Sequence, residues 1–181
     1  MPIADLATSL HAPRRTLERL SALGAVRTHH RSSGHRPLMA GEDAWLLAHY
    51  PLLRALREAF RREPSVSLAL LFGSQAKGQD IPQSDLDLVV DLPSGDRSAL
   101  SALRDRLEQK LARPIDIFLL SDLQREPAAL LAILEHARPI IDRTSWWVSL
   151  PRHRRSLKSR LHVQQVTESR ARRAWAEVAI S

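Results

Sequence analysis

At 181 residues, 44% hydrophobic and 26% charged, the chain has the make-up of a folded protein with one ordinary domain and a smaller one, not that of a disordered segment. It has no cysteine, which removes disulfides and thiolate metal sites and fits a reducing cytoplasm. The net charge of +7 is uneven: residues 1–63 hold ten Lys/Arg against six Asp/Glu, residues 64–149 nine against twelve, and residues 150–181 eight against two.

An acidic centre between basic ends implies modules with different partners, the ends suited to a polyanion such as nucleic acid. No apolar run approaches the ~20 residues of a membrane span. The longest, Ala128 to Leu134, has seven residues. The opening Met1-Pro2-Ile3-Ala4-Asp5 lacks the basic-then-apolar layout of a secretory signal, so a cytoplasmic protein without membrane contact is expected.

In chain order, Ile3, Leu6, Ala7 and Leu10 predict a short amphipathic helix that ends at His11-Ala12-Pro13. Pro13 suits the start of the next helix, residues 14–23. There Leu17, Leu20 and Leu23 take one side and Arg14, Arg15, Thr16 and Arg19 the other, and Gly24 caps the end. Residues 25–28 and 36–40 read as extended pieces around a Ser32-Ser33-Gly34 turn. Helix, turn, basic helix and hairpin make a helix-turn-helix with a wing. A connecting helix from Asp43 to about Arg62 would bury Trp45, Leu46, Tyr50, Leu53, Leu56 and Phe60, with a kink or break at Pro51. Glu63-Pro64 then marks a boundary, giving a first domain of residues 1–63.

The apolar run Val66 to Phe72, ending at Gly73, predicts a buried strand. Asp85 to Leu92 alternates acid and apolar residues as a second strand does. Leu100, Leu103, Leu107 and Leu111 predict a helix closed by Pro114, and Ile115 to Leu120 a third strand. A helix from Pro127 to about His136 and a short strand at Pro139-Ile140-Ile141 complete a domain of residues 64–142. The fold class is thus α/β (α+β), a small mixed sheet with helices. Residues 143–181 read as a basic helical tail in which Trp146 and Trp147 are packing residues.

The chemistry concentrates between the first and third strands. Asp85 and Asp87 leave the same face of a strand, while Leu86 and Leu88 point into the core. Like charges so placed need a cation, and oxygen ligands suit Mg2+ or Mn2+ rather than zinc. Asp116, between Ile115 and Ile117, reads as a buried third acid that joins them if its strand lies alongside. Two metals held by such acids activate an attacking oxygen and stabilise a pyrophosphate leaving group. Gly73 and Ser74 offer backbone amides and a hydroxyl to phosphate oxygens. Gly78 keeps that loop open and Lys77 adds a charge for a triphosphate.

The segments Gly73-Ser74-Gln75-Ala76-Lys77-Gly78, Ser84-Asp85-Leu86-Asp87-Leu88-Val89-Val90 and Pro114-Ile115-Asp116-Ile117 resemble the minimal nucleotidyltransferases of the DNA polymerase β superfamily. The resemblance covers about residues 65–142. It implies a polymerase-β-like core, magnesium and a nucleoside triphosphate donor. Asp85 and Asp87 would bind both metals, with Asp116 as the third acid that helps activate the acceptor hydroxyl. Ser84 would join Gly73, Ser74, Lys77 and Gly78 at the nucleotide. Gln75 stands where many relatives carry an arginine or aromatic residue, which implies a differently shaped triphosphate site. Small members resemble antitoxins that transfer AMP from ATP to a tyrosine of a partner RNase toxin of the HEPN class, and others resemble aminoglycoside nucleotidyltransferases.

The N-terminal module is similar to winged-helix regulators. Arg14, Arg15, Thr16 and Arg19 would read the major groove of DNA, and Arg27, Arg31, His35 and Arg36 on the wing would meet phosphates. Reading a palindrome would favour a homodimer. Two functions are therefore expected: transfer of a nucleoside monophosphate to a protein or nucleic-acid acceptor coupled to DNA binding, or a DNA-bound regulator whose transferase fold only senses nucleotide or docks a partner.

Overall fold

Two short helices, α1 (Ile3–Ser9) and α2 (Arg14–Leu23), open the chain, joined by a turn in which His11 takes a positive φ of 48°. The computed structural model describes residues 3–29, 37–81, 84–93 and 95–179. Leu6 and Ala7 of α1 and Leu17 and Leu20 of α2 are buried, as their spacing predicts. Gly24, at φ 88°, returns its N–H to Leu20 and Ser21 and ends α2. An antiparallel bridge, Thr28 to Leu38, then follows where a hairpin is expected, short of full strands among the described residues.

Helix α3 (Glu42–Arg61) runs through Pro51 without a break. Proline forfeits one hydrogen bond there, but the buried Trp45, Leu46, Leu53, Leu56 and Phe60 hold both halves on one apolar surface. Beyond it come β1 (Leu68–Phe72), α4 (Gly73–Lys77), β2 (Leu86–Asp91), α5 (Arg97–Leu111), β3 (Ile115–Leu119), α6 (Leu120–Leu123), α7 (Pro127–His136), β4 (Arg138–Asp142) and the long α8 (Leu150–Ala179). The strands form one mixed sheet in the order β3-β2-β1-β4, with β2 and β3 parallel and the other pairs antiparallel.

Alternation along the strands gives the sheet two buried faces. Ala69, Leu71, Leu86, Leu88, Val90 and Ile115 share a core with α1, α2, α3 and α5. Leu68, Leu70 and Val89 pack instead with Leu130 and Leu134 of α7 and Leu157 of α8. Trp146 and Trp147 belong to this second cluster, the packing role expected of them, and Trp147 lies against Gly24, where an added Cβ would stand 2.5 Å from its Nε1.

The core passes without interruption across Glu63-Pro64. Arg138 on β4 is buried and pairs with Glu42 at the start of α3, Nη1 to Oε1 at 2.5 Å and Nη2 to Oε2 at 3.0 Å. The same guanidinium donates to the Ala25 carbonyl at 3.0 Å and the Ala76 carbonyl at 2.9 Å, and lies 3.4 Å from the centre of the Trp45 ring. Such a charge is tolerable in the interior because every side of it meets an acceptor or an aromatic face.

Candidate active site

The first strand ends beside an acid of the second. Phe72 pairs in register with Asp87, and Asp87 with Asp116 on β3, so the two carboxylates stand side by side on one face of neighbouring parallel strands. Gly73 follows Phe72 at φ 70°, and a Cβ there would fall 1.9 Å from Oδ2 of Asp87. Only glycine lets the chain turn this close to the carboxylate. Asp85, expected as the first residue of this strand, is exposed and lies just before β2.

Asp116 corrects the expectation of a buried acid: it is exposed. Strand β3 is the sheet's edge, and the helices on that face cover β1 and β2 but leave Asp116 and Phe118 open. Phe118 meets Phe72 edge-on at 5.7 Å, flooring the acidic face with aromatic rings.

The acids feel one another. Burial first, and then the charges of Asp116 and Asp85, push the Asp87 carboxyl above the ordinary range. A hard divalent cation fits this oxygen-only set, since it would relieve the repulsion that the fold imposes. Among the described residues no three His, Asp or Glu side chains are already closed into a metal-binding group.

The Gly73-Ser74 segment is not the open loop expected from its sequence. It winds into the single turn α4, which Gly78 closes at φ 72°. Trp45 Nε1 donates to the Gln75 carbonyl at 2.9 Å, and the Arg138 bond to Ala76 fixes the next one. Gln75 is buried, whereas Ser74 is half-buried and Lys77 and Gly78 are exposed. Ser84 is committed elsewhere: its hydroxyl accepts from Ile81 N–H at 3.0 Å, and its carbonyl takes a guanidinium N–H from Arg113.

Sequence reading missed the support of this turn. His49 Nε2 meets Asp80 Oδ1 at 2.6 Å, and its Nδ1 meets the Trp45 carbonyl at 2.9 Å while the ring stacks on Trp45. Burial opposes the Asp80 charge, but the His49 hydrogen bond, a backbone N–H and the Arg113 charge together hold its carboxyl below the usual range. A histidine 31 positions from its partner leaves no local signal. Arg138 leaves a faint one, a cation beside Pro139-Ile140-Ile141.

Of the residues expected to meet DNA, Arg14, Arg15 and Arg19 are exposed and Thr16 half-buried on α2, with Arg14 paired to Glu18 at 2.8 Å. Arg27 turns inward and donates to the His136 carbonyl at 2.7 Å. Arg31, His35 and Arg36 lie outside the described residues.

The family model described as "Polymerase beta, Nucleotidyltransferase" matches residues 54–145. No curated protein matches the chain. Among solved structures, the chain is similar to a toxin–antitoxin with AMP-PNP, at 16% identity and TM-score 0.47, over 71% of this chain and 98% of that one. It is also similar to a structure of a tri-AMPylated Shewanella oneidensis HEPN toxin in complex with MNT antitoxin, at 18% identity and TM-score 0.45, over 76% of this chain and 99% of that one.

Proposed function

Because the chain belongs to the polymerase β nucleotidyltransferase family, we propose that it transfers a nucleoside monophosphate, AMP from ATP, to a protein or nucleic-acid acceptor and couples this to DNA binding. The observation that carries the reading is the shared face of Asp87 and Asp116 beside Gly73, with Asp85 close enough to raise the Asp87 carboxyl. Asp85, Asp87 and Asp116 would hold magnesium or manganese, which supplies charge neutralisation at the phosphates and activates the attacking oxygen. Gly73 leaves the Asp87 carboxylate room at the turn, and Asp116, exposed on the edge strand, is the acid an acceptor hydroxyl can approach. The amides at the start of α4, Ser74, Lys77 and Gly78 would meet the triphosphate. Ser84 serves this site through its backbone turn rather than its hydroxyl.

The acceptor we propose is a tyrosine of a HEPN-type toxin, which makes the protein an antitoxin of the cytoplasm. Among the described residues no helix is long and apolar enough to cross a membrane. The exposed Arg14, Arg15 and Arg19 support DNA contact by α2, as a dimer on a palindromic site. The inward Arg27 works as a strut between α7 and the N-terminal helices. The same exposed arginines favour a second reading, a DNA-bound regulator whose transferase fold only senses nucleotide or docks a partner, without transfer.

One assay separates them. The protein is incubated with magnesium, each labelled nucleoside triphosphate and the product of its neighbouring gene. Label on the neighbour, lost in Asp85→Asn and Asp87→Asn but kept in Arg15→Ala, supports transfer. No label from a protein that still binds DNA leaves the regulator.

A further inference from the structure

Away from the acidic face, α2 and α3 enclose a cleft of about 770 Å3 lined by cations. Tyr50, Arg54, Arg57 and Arg61 recur every three or four residues along one side of α3, and Arg19 faces them from α2. Arg57 is half-buried on the floor and donates from Nη1 to the Ile140 carbonyl at 2.7 Å. Burial first, and then the charges of Arg61 and Arg19, lower its pKa. The acid in the cleft, Glu58, is engaged with Arg61 at 3.2 Å and Arg62 at 3.5 Å. Four guanidiniums against one carboxylate is an arrangement that calls for an anion.

The shape indicates which anion. Arg54 to Arg61 spans about 10 Å of helix, at 1.5 Å per residue. Duplex DNA carries a phosphate on each strand about every 3.4 Å of its axis, so a row of this length suits a run of backbone phosphates and not one compact anion. Arg19 belongs both to this cleft and to the exposed face of α2, which makes the row continuous with Arg14 and Arg15. We propose that the α2–α3 cleft is a phosphate track that carries the DNA backbone past α2, with Arg19, Arg54 and Arg61 contacting the phosphates and Arg57 forming its floor. This rests on the reading of α2 as a DNA-contacting helix.

The test is fluorescence anisotropy of a labelled mixed-sequence duplex against the full chain, repeated between about 50 and 200 mM salt. The wild type is expected to bind with a steep salt dependence. Arg54→Ala/Arg61→Ala should bind more weakly on every sequence. Its slope of log Kd against log salt should fall by about 0.9 for each phosphate left without its arginine, about 1.8 for the pair. Both side chains are exposed, so circular dichroism should show an unchanged fold. Arg57 is left intact because it holds the Ile140 carbonyl. If the double variant keeps wild-type affinity and slope while Arg14→Ala/Arg15→Ala weakens binding, the track is wrong and the α2 reading stands. If the double variant loses only calorimetric binding of inorganic tripolyphosphate, the cleft takes a compact anion and the proposal is overturned. If the wild type binds no duplex, the α2 reading fails and takes the track with it.

Discussion

Asp87 carries two opposed demands, since burial disfavours its charge while Asp85 and Asp116 add repulsion. A carboxyl whose native pKa lies above its unfolded value contributes stability only below the ordinary carboxylate range, and loses it as pH rises through the raised value. Asp87→Asn should therefore melt higher than wild type at neutral pH while losing transfer. The gap should close as pH falls through the raised pKa. Magnesium should raise the wild-type Tm and leave Asp87→Asn unmoved. Thermal melts across that range check both points, and an Asn variant no more stable at neutral pH would refute the repulsion. This much was legible because the Asp-x-Asp spacing is local and a strand's period of two is fixed. The exposure of Asp116 was not legible, because sequence does not say which strand lies at an edge.

At the level of elements, the single turn α4 matters most. Gly73→Ala would put a side chain at φ 70° and 1.9 Å from Asp87 Oδ2, so the carboxylate must move. A displacement on the scale of 1 Å at a reacting centre costs about 100-fold in rate. Single-turnover label transfer should fall by about that factor, and a wild-type rate in Gly73→Ala would remove Gly73 from the site. The sequence located this turn through its glycines, but it did not reveal a helix, because five residues carry no periodicity. Nor did it show that Trp45 and Arg138, from elements far along the chain, pin the carbonyls of α4. For α3, the proline suggested a kink or a break, and of the two the break is overridden by tertiary packing.

For the whole molecule, the mixed sheet and most helix positions followed from apolar spacing, whereas the join between the N-terminal helices and the sheet did not. That join is Arg138 with Glu42, separated by 96 positions. Arg138→Met should leave a buried carboxylate without its cation, held only by the Arg27 N–H, and cost about 3–5 kcal/mol, with part recovered by adding Glu42→Gln. Denaturant titrations followed by tryptophan fluorescence and far-UV dichroism measure this. Coincident transitions are expected, because the core is shared across the proposed boundary at residue 64.

The position of Arg138 also limits how such a protein can be recombined. One guanidinium satisfies a carbonyl from the N-terminal helices, a carbonyl of α4 and a carboxylate of α3. A different N-terminal segment spliced on at residue 64 would have to bring its own acid to that point, or strand a cation in oil. A graft at that point therefore has to carry both partners of the ion pair, or neither.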